Sequence, residues 1–183
     1  MALLTELLQR MQAGDEKARS ALFEAAYDEL YRLAQARLRE GGRNTLLDTT
    51  SLVHESYLRF VTAGAFRSDD RRAFFAYASR VMQSVIVNCV RERQADKRGG
   101  GRPPVTLSNA LGTPFDEAAD TVLRVSDALE VLENADARLA EVARMRYFGG
   151  YSLQEVADTL AVNERTVRRD WEKAKLILAA ALS

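Results

Sequence analysis

Apolar side chains recur at every third or fourth position along most of the chain, a spacing that places them on one face of an α-helix. A first run over residues 3–11 ends at Gly14, and a second run over residues 18–33 ends at Gly41-Gly42. Asp15 lies between the two runs and is suited to cap the second helix. No segment alternates convincingly between apolar and polar residues, as a half-buried strand would. The pattern therefore predicts an all-α fold.

The later helices are marked by residues that favour helix ends. Asp48-Thr49-Thr50 are N-cap types and predict a third helix, and a longer apolar stripe over residues 71–97 predicts a fourth. Stripes near residues 122–132 and 139–148 predict two more. Ser152 and Glu155 then have the spacing of a capping box, in which each side chain accepts a hydrogen bond from the other residue's backbone amide. This box predicts a short helix, which is followed after a turn by a last, longer one.

The segment between the fourth and fifth helices differs in composition. Gly99-Gly100-Gly101 is followed by all three prolines of the chain, which lie between residues 103 and 114. Glycine and proline at this density favour a flexible connection. The sequence therefore predicts two small helical domains, residues 1–98 and residues 121–183, joined by a flexible linker over residues 99–120.

Charge is balanced over the whole chain but not along it. There are 26 basic and 26 acidic side chains, so the formal net charge is zero. Residues 1–102 hold 17 basic and 13 acidic side chains, whereas residues 103–183 hold 9 and 13. The basic side chains concentrate at the end of the first unit and in residues 163–183. A nucleic-acid partner is expected at those two segments.

The strongest functional pattern is the helix pair at residues 152–178. A two-turn helix, a three-residue turn and a longer helix form a helix-turn-helix, whose second helix fits the major groove of DNA. Ala157 permits close packing of the two helices, and Asn163 can cap the second. The candidate contacts to base edges and phosphates are Arg165, Thr166, Arg168, Arg169 and Lys173. The alternative is an amphipathic helix pair whose basic face is only solvated.

At these residues the chain resembles a known family. Residues 152–157 and 160–167, which read SLQEVA and LAVNERTV, resemble region 4 of bacterial sigma-70 family factors, and residues 143–150 fit the same region. Residues 52–60 resemble the region 2 helix, and residues 74–82 leading into Arg91-Glu92-Arg93 resemble the promoter-melting helix. The length of the chain and its organisation in two helical domains with one linker resemble those of the extracytoplasmic-function (ECF) subfamily. The resemblance covers nearly the whole chain from about residue 5.

The resemblance implies a protein without catalytic activity that binds core RNA polymerase and delivers it to promoter DNA. The second domain would read the minus-thirty-five element as duplex, and the first would hold the opened minus-ten element as a single strand. The candidate contacts to that strand lie on the less apolar side of the helix at residues 71–97: Tyr77, Arg80, Gln83, Ser84, Asn88 and Arg91. For Tyr77 the competing interpretation is a core residue, because aromatic residues at helical spacing are more often buried.

The third helix is the one that the resemblance assigns to polymerase binding, through Asp48, Leu52, Glu55 and Tyr57. Family members usually begin this helix with an acidic cluster of the form Asp-Ala-Glu-Asp, whereas this chain has Asp48-Thr49-Thr50-Ser51. A phosphate would restore the negative charge. One hypothesis is therefore that a Ser/Thr kinase activates the factor at Thr49, Thr50 or Ser51. The alternatives are that the hydroxyls only cap the helix, or that an anti-sigma factor exerts the control.

Two other classes of function compete with this one. A stand-alone helix-turn-helix regulator would usually need a dimerisation surface, yet no heptad seam is visible and residues 1–98 would have no purpose. An enzyme is not supported, because the sequence has no metal-ligand cluster, no glycine-rich phosphate loop and no nucleophile–base pair. No cofactor is expected.

Cysteine usage and hydropathy suggest the compartment. The single cysteine, Cys89, excludes an internal disulfide and fits a reducing environment. The first residues lack a basic segment of the secretory type, and no apolar run approaches the ~20 residues needed to span a membrane. The sequence therefore predicts a cytoplasmic protein without a membrane span.

Overall fold

The computed structural model describes residues 2–40, 49–63, 70–99 and 114–182, and within these ranges the chain forms helices and turns without a strand. The all-α prediction is confirmed. The helices are α1 (Ala2–Gln12), α2 (Glu16–Glu40), α3 (Thr49–Ala63), α4 (Arg71–Gly99), α5 (Pro114–Ala135), α6 (Ala137–Tyr147), α7 (Leu153–Leu160) and α8 (Glu164–Leu182).

Helices α1 to α4 form the first unit, and the boundary between α1 and α2 is set by the predicted cap. The Asp15 carboxylate accepts hydrogen bonds from the backbone amides of Lys17 and Ala18 at 3.0 and 3.3 Å, and it pairs with Arg10 at 2.7 Å. The apolar stripes of the four helices meet in a core whose fully buried members include Leu8, Leu22, Leu33, Leu52 and Val90. Burying one such side chain contributes about 1.5–3 kcal/mol.

Helices α5 to α8 form the second unit, and side-chain caps again fix where the helices begin. Asp136 accepts a hydrogen bond from the Leu139 amide at 3.1 Å at the start of α6. The predicted capping box is present at the start of α7, with 3.2 Å from the Glu155 amide to Ser152 Oγ and 2.8 Å in the reciprocal bond. Asn163 Oδ1 accepts from the Arg165 amide at 2.8 Å and caps α8.

The two units pack directly against each other. Helix α4 contacts α5, α6 and α7, and a single cluster of buried apolar residues runs through both units. The hydroxyl of Tyr151 donates a buried hydrogen bond to the Phe75 carbonyl at 2.9 Å, and the Arg37 guanidinium lies 4.8 Å from the centre of the Tyr147 ring.

The predicted linker falls mainly at residues 100–113, which lie outside the described residues. Its predicted final part is helical, because α5 already begins at Pro114, a residue preorganised for the first helical turn.

The turn between α6 and α7 is shaped by contact with the first unit. Gly150 has a φ of +70°, and a Cβ added there would lie 2.8 Å from the backbone nitrogen of Arg37 and still closer to the Leu33 carbonyl. A Cβ on Gly149 would lie 2.7 Å from Ser79 Oγ on α4. Larger residues would therefore push the turn away from α2 and α4.

Within the described ranges, helix α4 has the length and composition of a membrane span. An 18-residue window within Arg71–Ala95 reaches a mean hydropathy of 1.2. Half of that window is buried within the protein, and its apolar residues Phe74, Phe75 and Met82 belong to the core. The packing therefore explains the apolar character of α4 as that of a central core helix.

Candidate nucleic-acid interface

The outward face of α8 is basic and open to solvent. Arg165, Arg168, Arg169 and Lys173 are exposed and Thr166 is half-buried, whereas Val167, Ala174 and Leu178 are buried on the opposite face. This division follows the predicted helical pattern. Trp171 is half-buried beside the core, and the Arg146 guanidinium lies 5.5 Å from its ring centre.

The charges on this face are weakly engaged by the protein itself. Arg168 pairs with Glu164 one turn earlier at 2.7 Å, but its side chain is 65% exposed. Such exposed pairs contribute about 0–1 kcal/mol, so a phosphate can replace the carboxylate at little cost. Arg169 lies 3.6 Å from Asp170, whose side chain is buried and also pairs with Arg138 of α6 at 2.9 Å. The Asp170–Arg138 pair attaches α8 to α6 and helps to fix its orientation.

Two open hollows flank the N-terminal end of α8. One is lined by Gln154, Val162, Asn163, Glu164, Arg165 and Arg168. The other is lined by Asn163, Arg165, Thr166 and Arg169. Arg165 and Asn163 are common to both, so the start of α8 projects between them. A helix that projects its N-terminal residues in this way can place them against base edges in a major groove.

The candidate minus-ten residues on α4 fall into two strips, and the first faces the second unit. Arg80 pairs with Glu141 at 2.7 Å and with Glu133 at 3.3 Å. Gln83 donates to Ser126 Oγ at 3.0 Å and accepts from Arg144 at 2.8 Å. A further candidate, Arg91, lies 3.9 Å from Asp127. Arg80 and Gln83 are therefore joined in one network with side chains of α5 and α6, and Arg91 lies beside α5 farther along α4.

The second strip faces α3. Arg59 of α3 donates to Ser84 Oγ at 2.5 Å, and Asn88 lies beside the same guanidinium. Tyr77 is half-buried, and its ring packs edge-on against Phe60 at a centroid distance of 6.0 Å. Tyr77 is therefore partly a packing residue, as the competing interpretation of the sequence expected.

The residues assigned to polymerase binding have different positions on α3. Asp48 lies outside the described residues. Leu52 is completely buried, so its side chain supports α3 from within and offers no surface to a partner. Glu55 is exposed, and Tyr57 is half-buried with its ring 4.5 Å from that of Phe23. The candidate phosphorylation residues lie in the first turn, where Thr50 is exposed and Thr49 and Ser51 are half-buried.

Sequence reasoning missed a charged network at the contact between the units. The side chain of Arg144, only 4% exposed, donates to Glu133 at 2.7 Å and to Glu141 at 2.9 Å, in addition to Gln83. The three-residue spacing of Glu141 and Arg144 within α6 was a visible signal of pairing. Nothing local in the sequence indicates that the pair is buried against α4. Among the described residues there is no cluster of His, Cys, Asp and Glu able to hold a metal ion.

An exposed basic helix presented by a short capped partner helix is the arrangement of helical DNA-binding proteins. The chain belongs to the ECF sigma factor family, whose model matches residues 1–183. It is 30% identical over 188 residues to the ECF RNA polymerase sigma factor BldN of Streptomyces coelicolor, a match that covers 99% of this chain and 66% of BldN. It is 29% identical over 183 residues to the ECF RNA polymerase sigma factor SigM of Mycobacterium tuberculosis, covering 97% of this chain and 83% of SigM. The chain thus spans just under two thirds of the length of BldN.

Proposed function

We propose that this protein is an ECF-type sigma factor that binds core RNA polymerase and directs promoter-specific initiation of transcription. The observation that carries the proposal is the open basic face of α8, held at a fixed orientation by the capped α7 and by the Asp170–Arg138 pair. Family membership supports the same function. The protein acts in the cytoplasm, where polymerase and promoter are found, and performs no catalysis itself.

The two units contact different elements of the promoter. The N-terminal half of α8 reads the minus-thirty-five element through Arg165 and its neighbours, with at least one arginine on a base edge and the others on phosphates. The less apolar side of α4, from Tyr77 to Arg91, holds the single-stranded minus-ten element. Residues 100–113 connect the two units and fall within the predicted linker.

The polymerase-binding surface is the exposed side of α3, with Glu55 and Tyr57. We propose that phosphorylation of Thr50, the exposed hydroxyl of the first turn, strengthens this contact. A phosphate there adds about −1.5 to −2 charges at a helix N-terminus, where negative charge is favoured. Thr50→Glu should then raise affinity for core polymerase, whereas Thr50→Ala should not. Equal affinity of both variants would instead favour capping as the whole role of these hydroxyls, with control left to an anti-sigma factor or another partner.

The experiment that tests the proposed function is a titration of the purified protein with core RNA polymerase, with and without promoter DNA. A sigma factor binds the core enzyme alone and contacts promoter DNA tightly only in the resulting holoenzyme. The alternative, a stand-alone helix-turn-helix regulator, binds its DNA site without polymerase and shows no affinity for the core enzyme. The second result would overturn the proposal.

A further inference from the structure

The strip of α4 that faces α3 carries two polar side chains that are held by one guanidinium. Arg59 of α3 donates from Nη1 to Ser84 Oγ at 2.5 Å. The Asn88 amide is satisfied when its oxygen faces the same guanidinium, where it accepts from Nη1 at 3.0 Å and from Nη2 at 2.7 Å. Ser84 and Asn88 are separated by one helical turn and lie on the same side of α4. Arg59 therefore joins them into one group.

The bonds to Arg59 determine what these two side chains can offer to a ligand. A guanidinium only donates hydrogen bonds, so Ser84 Oγ and Asn88 Oδ1 act as acceptors toward it. The Ser84 hydroxyl retains a proton to donate, and the Asn88 amide nitrogen, at the opposite end of the amide from its oxygen, retains two. Ser84 is exposed and Asn88 is half-buried, so a ligand can reach both. The pair therefore presents hydrogen-bond donors side by side.

Adjacent donors are complementary to a base edge that carries adjacent acceptors. Guanine has a carbonyl oxygen beside a ring nitrogen acceptor on its Hoogsteen edge, and cytosine has the same pair on its Watson–Crick edge. In adenine the amino group interrupts the row of acceptors, and in thymine a ring N–H separates the two carbonyls. A protein can reach all of these edges when the strand is unpaired. The donor pair therefore favours guanine or cytosine in an opened strand over adenine or thymine.

The position of the donor pair fits the path proposed for the minus-ten strand. Tyr77 lies two turns before Ser84 on the same side of α4, with its ring half-buried against Phe60. Arg91 lies one turn beyond Asn88 and is exposed. Aromatic rings that stack on bases and arginines that bind phosphates are the usual parts of a surface for single-stranded DNA. A strand that follows α4 from Tyr77 to Arg91 passes over Ser84 and Asn88.

We propose that Arg59 is a positioning residue for promoter recognition, which orients Ser84 and Asn88 as a donor pair that selects one guanine or cytosine of the opened minus-ten strand. The inference rests on the proposed function, since that function supplies the strand. Arg59 acts through the two side chains that it holds. A lysine at this position would keep the positive charge, but its compact ammonium lacks the planar fork that bonds both acceptors.

The proposal is tested on holoenzyme assembled from core polymerase and the full chain. A pool of single-stranded oligonucleotides of randomised sequence is incubated with it, and the bound strands are sequenced. The unaltered protein should prefer guanine or cytosine at one position about five- to a hundredfold. Arg59→Lys and Ser84→Ala should both reduce the preference at that same position to below about twofold and leave the other positions unchanged. A wild-type base profile in Arg59→Lys would overturn the proposal, because a phosphate contact or a simple packing role tolerates lysine.

Asn88→Asp separates base selection from folding, and Arg10→Lys is the control for the lysine substitution. Aspartate keeps an oxygen that accepts from Arg59 and adds a charge to that bond, but it replaces the outward donor with an acceptor. The melting temperature should therefore be retained while the preference at the selected position is lost. The added charge weakens binding of all strands alike, so the base profile is the readout. Arg10 lies on α1 in an exposed pair with Asp15, outside the proposed interfaces, and its substitution should leave the profile unchanged.

Two further outcomes separate this inference from the proposed function. An unchanged base profile in Asn88→Asp, or a holoenzyme that binds strands without preferring guanine or cytosine at any position, would overturn the role of Arg59 and leave the sigma factor function intact. Failure of the unaltered protein to bind the core enzyme would instead refute the proposed function, and the inference with it.

Discussion

Helices α8 and α4 both carry basic residues proposed to touch DNA, yet one surface is open and the other is covered. On α8 the outward arginines meet at most an adjacent residue or one a turn away, and two open hollows lie beside them. On α4, by contrast, Arg80 and Arg91 lie beside carboxylates of the second unit, and the Gln83 amide is bound by a hydroxyl and a guanidinium of that unit. A residue directed outward from its own unit is therefore not necessarily exposed once the two units pack together.

The largest expected effect is a loss of stability when Arg144, at the covered contact between α4 and the second unit, is replaced. Its side chain is buried and binds Glu133, Glu141 and Gln83. Arg144→Ala leaves the buried Glu141 carboxylate with fewer partners and should lower the free energy of unfolding by about 3–5 kcal/mol. Urea denaturation followed by circular dichroism measures the change. Arg168→Ala on the open side is the control, with an expected loss below about 1 kcal/mol. Similar losses for the two variants would remove the distinction between the surfaces.

The next effect belongs to the open side and concerns promoter reading. Removal of a base-reading arginine at Arg165, Arg168 or Arg169 should cost about 1–3 kcal/mol of promoter binding and relax the preference at one base position. A phosphate-binding arginine should weaken all sequences alike. Transcription from a randomised promoter library, compared between the three alanine variants and Lys175→Ala, separates the two roles. Unchanged output from all three arginine variants would contradict the assignment of α8.

A smaller loss of stability is expected when the N-cap of α7 is removed. Ser152→Ala removes the hydroxyl that accepts from the Glu155 amide and should lower the free energy of unfolding by about 1 kcal/mol. Ser152→Asp keeps an acceptor at the N-cap and should retain most of the stability. Thermal unfolding of the two variants beside the unaltered protein checks this. An equal loss for both would show that the hydroxyl does not stabilise the helix through capping.

The smallest effect is a pH dependence of stability at Glu155, which caps α7 and pairs with Arg32 of the first unit. Burial raises the pKa of Glu155, but hydrogen bonds from Ser152 and the charge of Arg32 outweigh it and hold the pKa below the ordinary value of 4.5. The ionised Glu155 carboxylate therefore stabilises the folded protein above pH 4.5. This contribution is lost as the pH falls through the lower pKa that Glu155 has in the folded state. The free energy of unfolding, measured by urea denaturation, should decrease over that acidic range, and Glu155→Gln should reduce this dependence. A pH profile unchanged by Glu155→Gln would contradict the assignment.

Local features of the fold could be predicted from the sequence because they depend on residues close together in the chain. The caps at Asp15, Ser152 and Asn163 and the division of α8 into a buried and an exposed face follow from spacing alone. The start of α5 was predicted too late, because proline was interpreted as a linker residue and not as the first residue of a helix.

Contacts between distant residues could not be predicted in the same way. Leu52 was expected at a partner surface, but its burial depends on how α3 packs against the rest of the first unit. The covering of Arg80 by Glu133 and Glu141 joins residues more than fifty positions apart across the predicted linker. The acidic composition of α5 was visible in the sequence, yet a solvated acidic helix has the same composition.

The proposed function is tested most directly by run-off transcription with purified core polymerase on a library of genomic promoter fragments. A sigma factor function predicts that adding this protein produces transcripts from a defined set of promoters that the core enzyme alone does not use. It also predicts that Arg165→Ala, Arg168→Ala or Arg169→Ala changes that set, while Lys175→Ala preserves it. Transcription that is unaffected by the protein, under conditions where it binds the core enzyme and where a known sigma factor is active, would contradict the central claim.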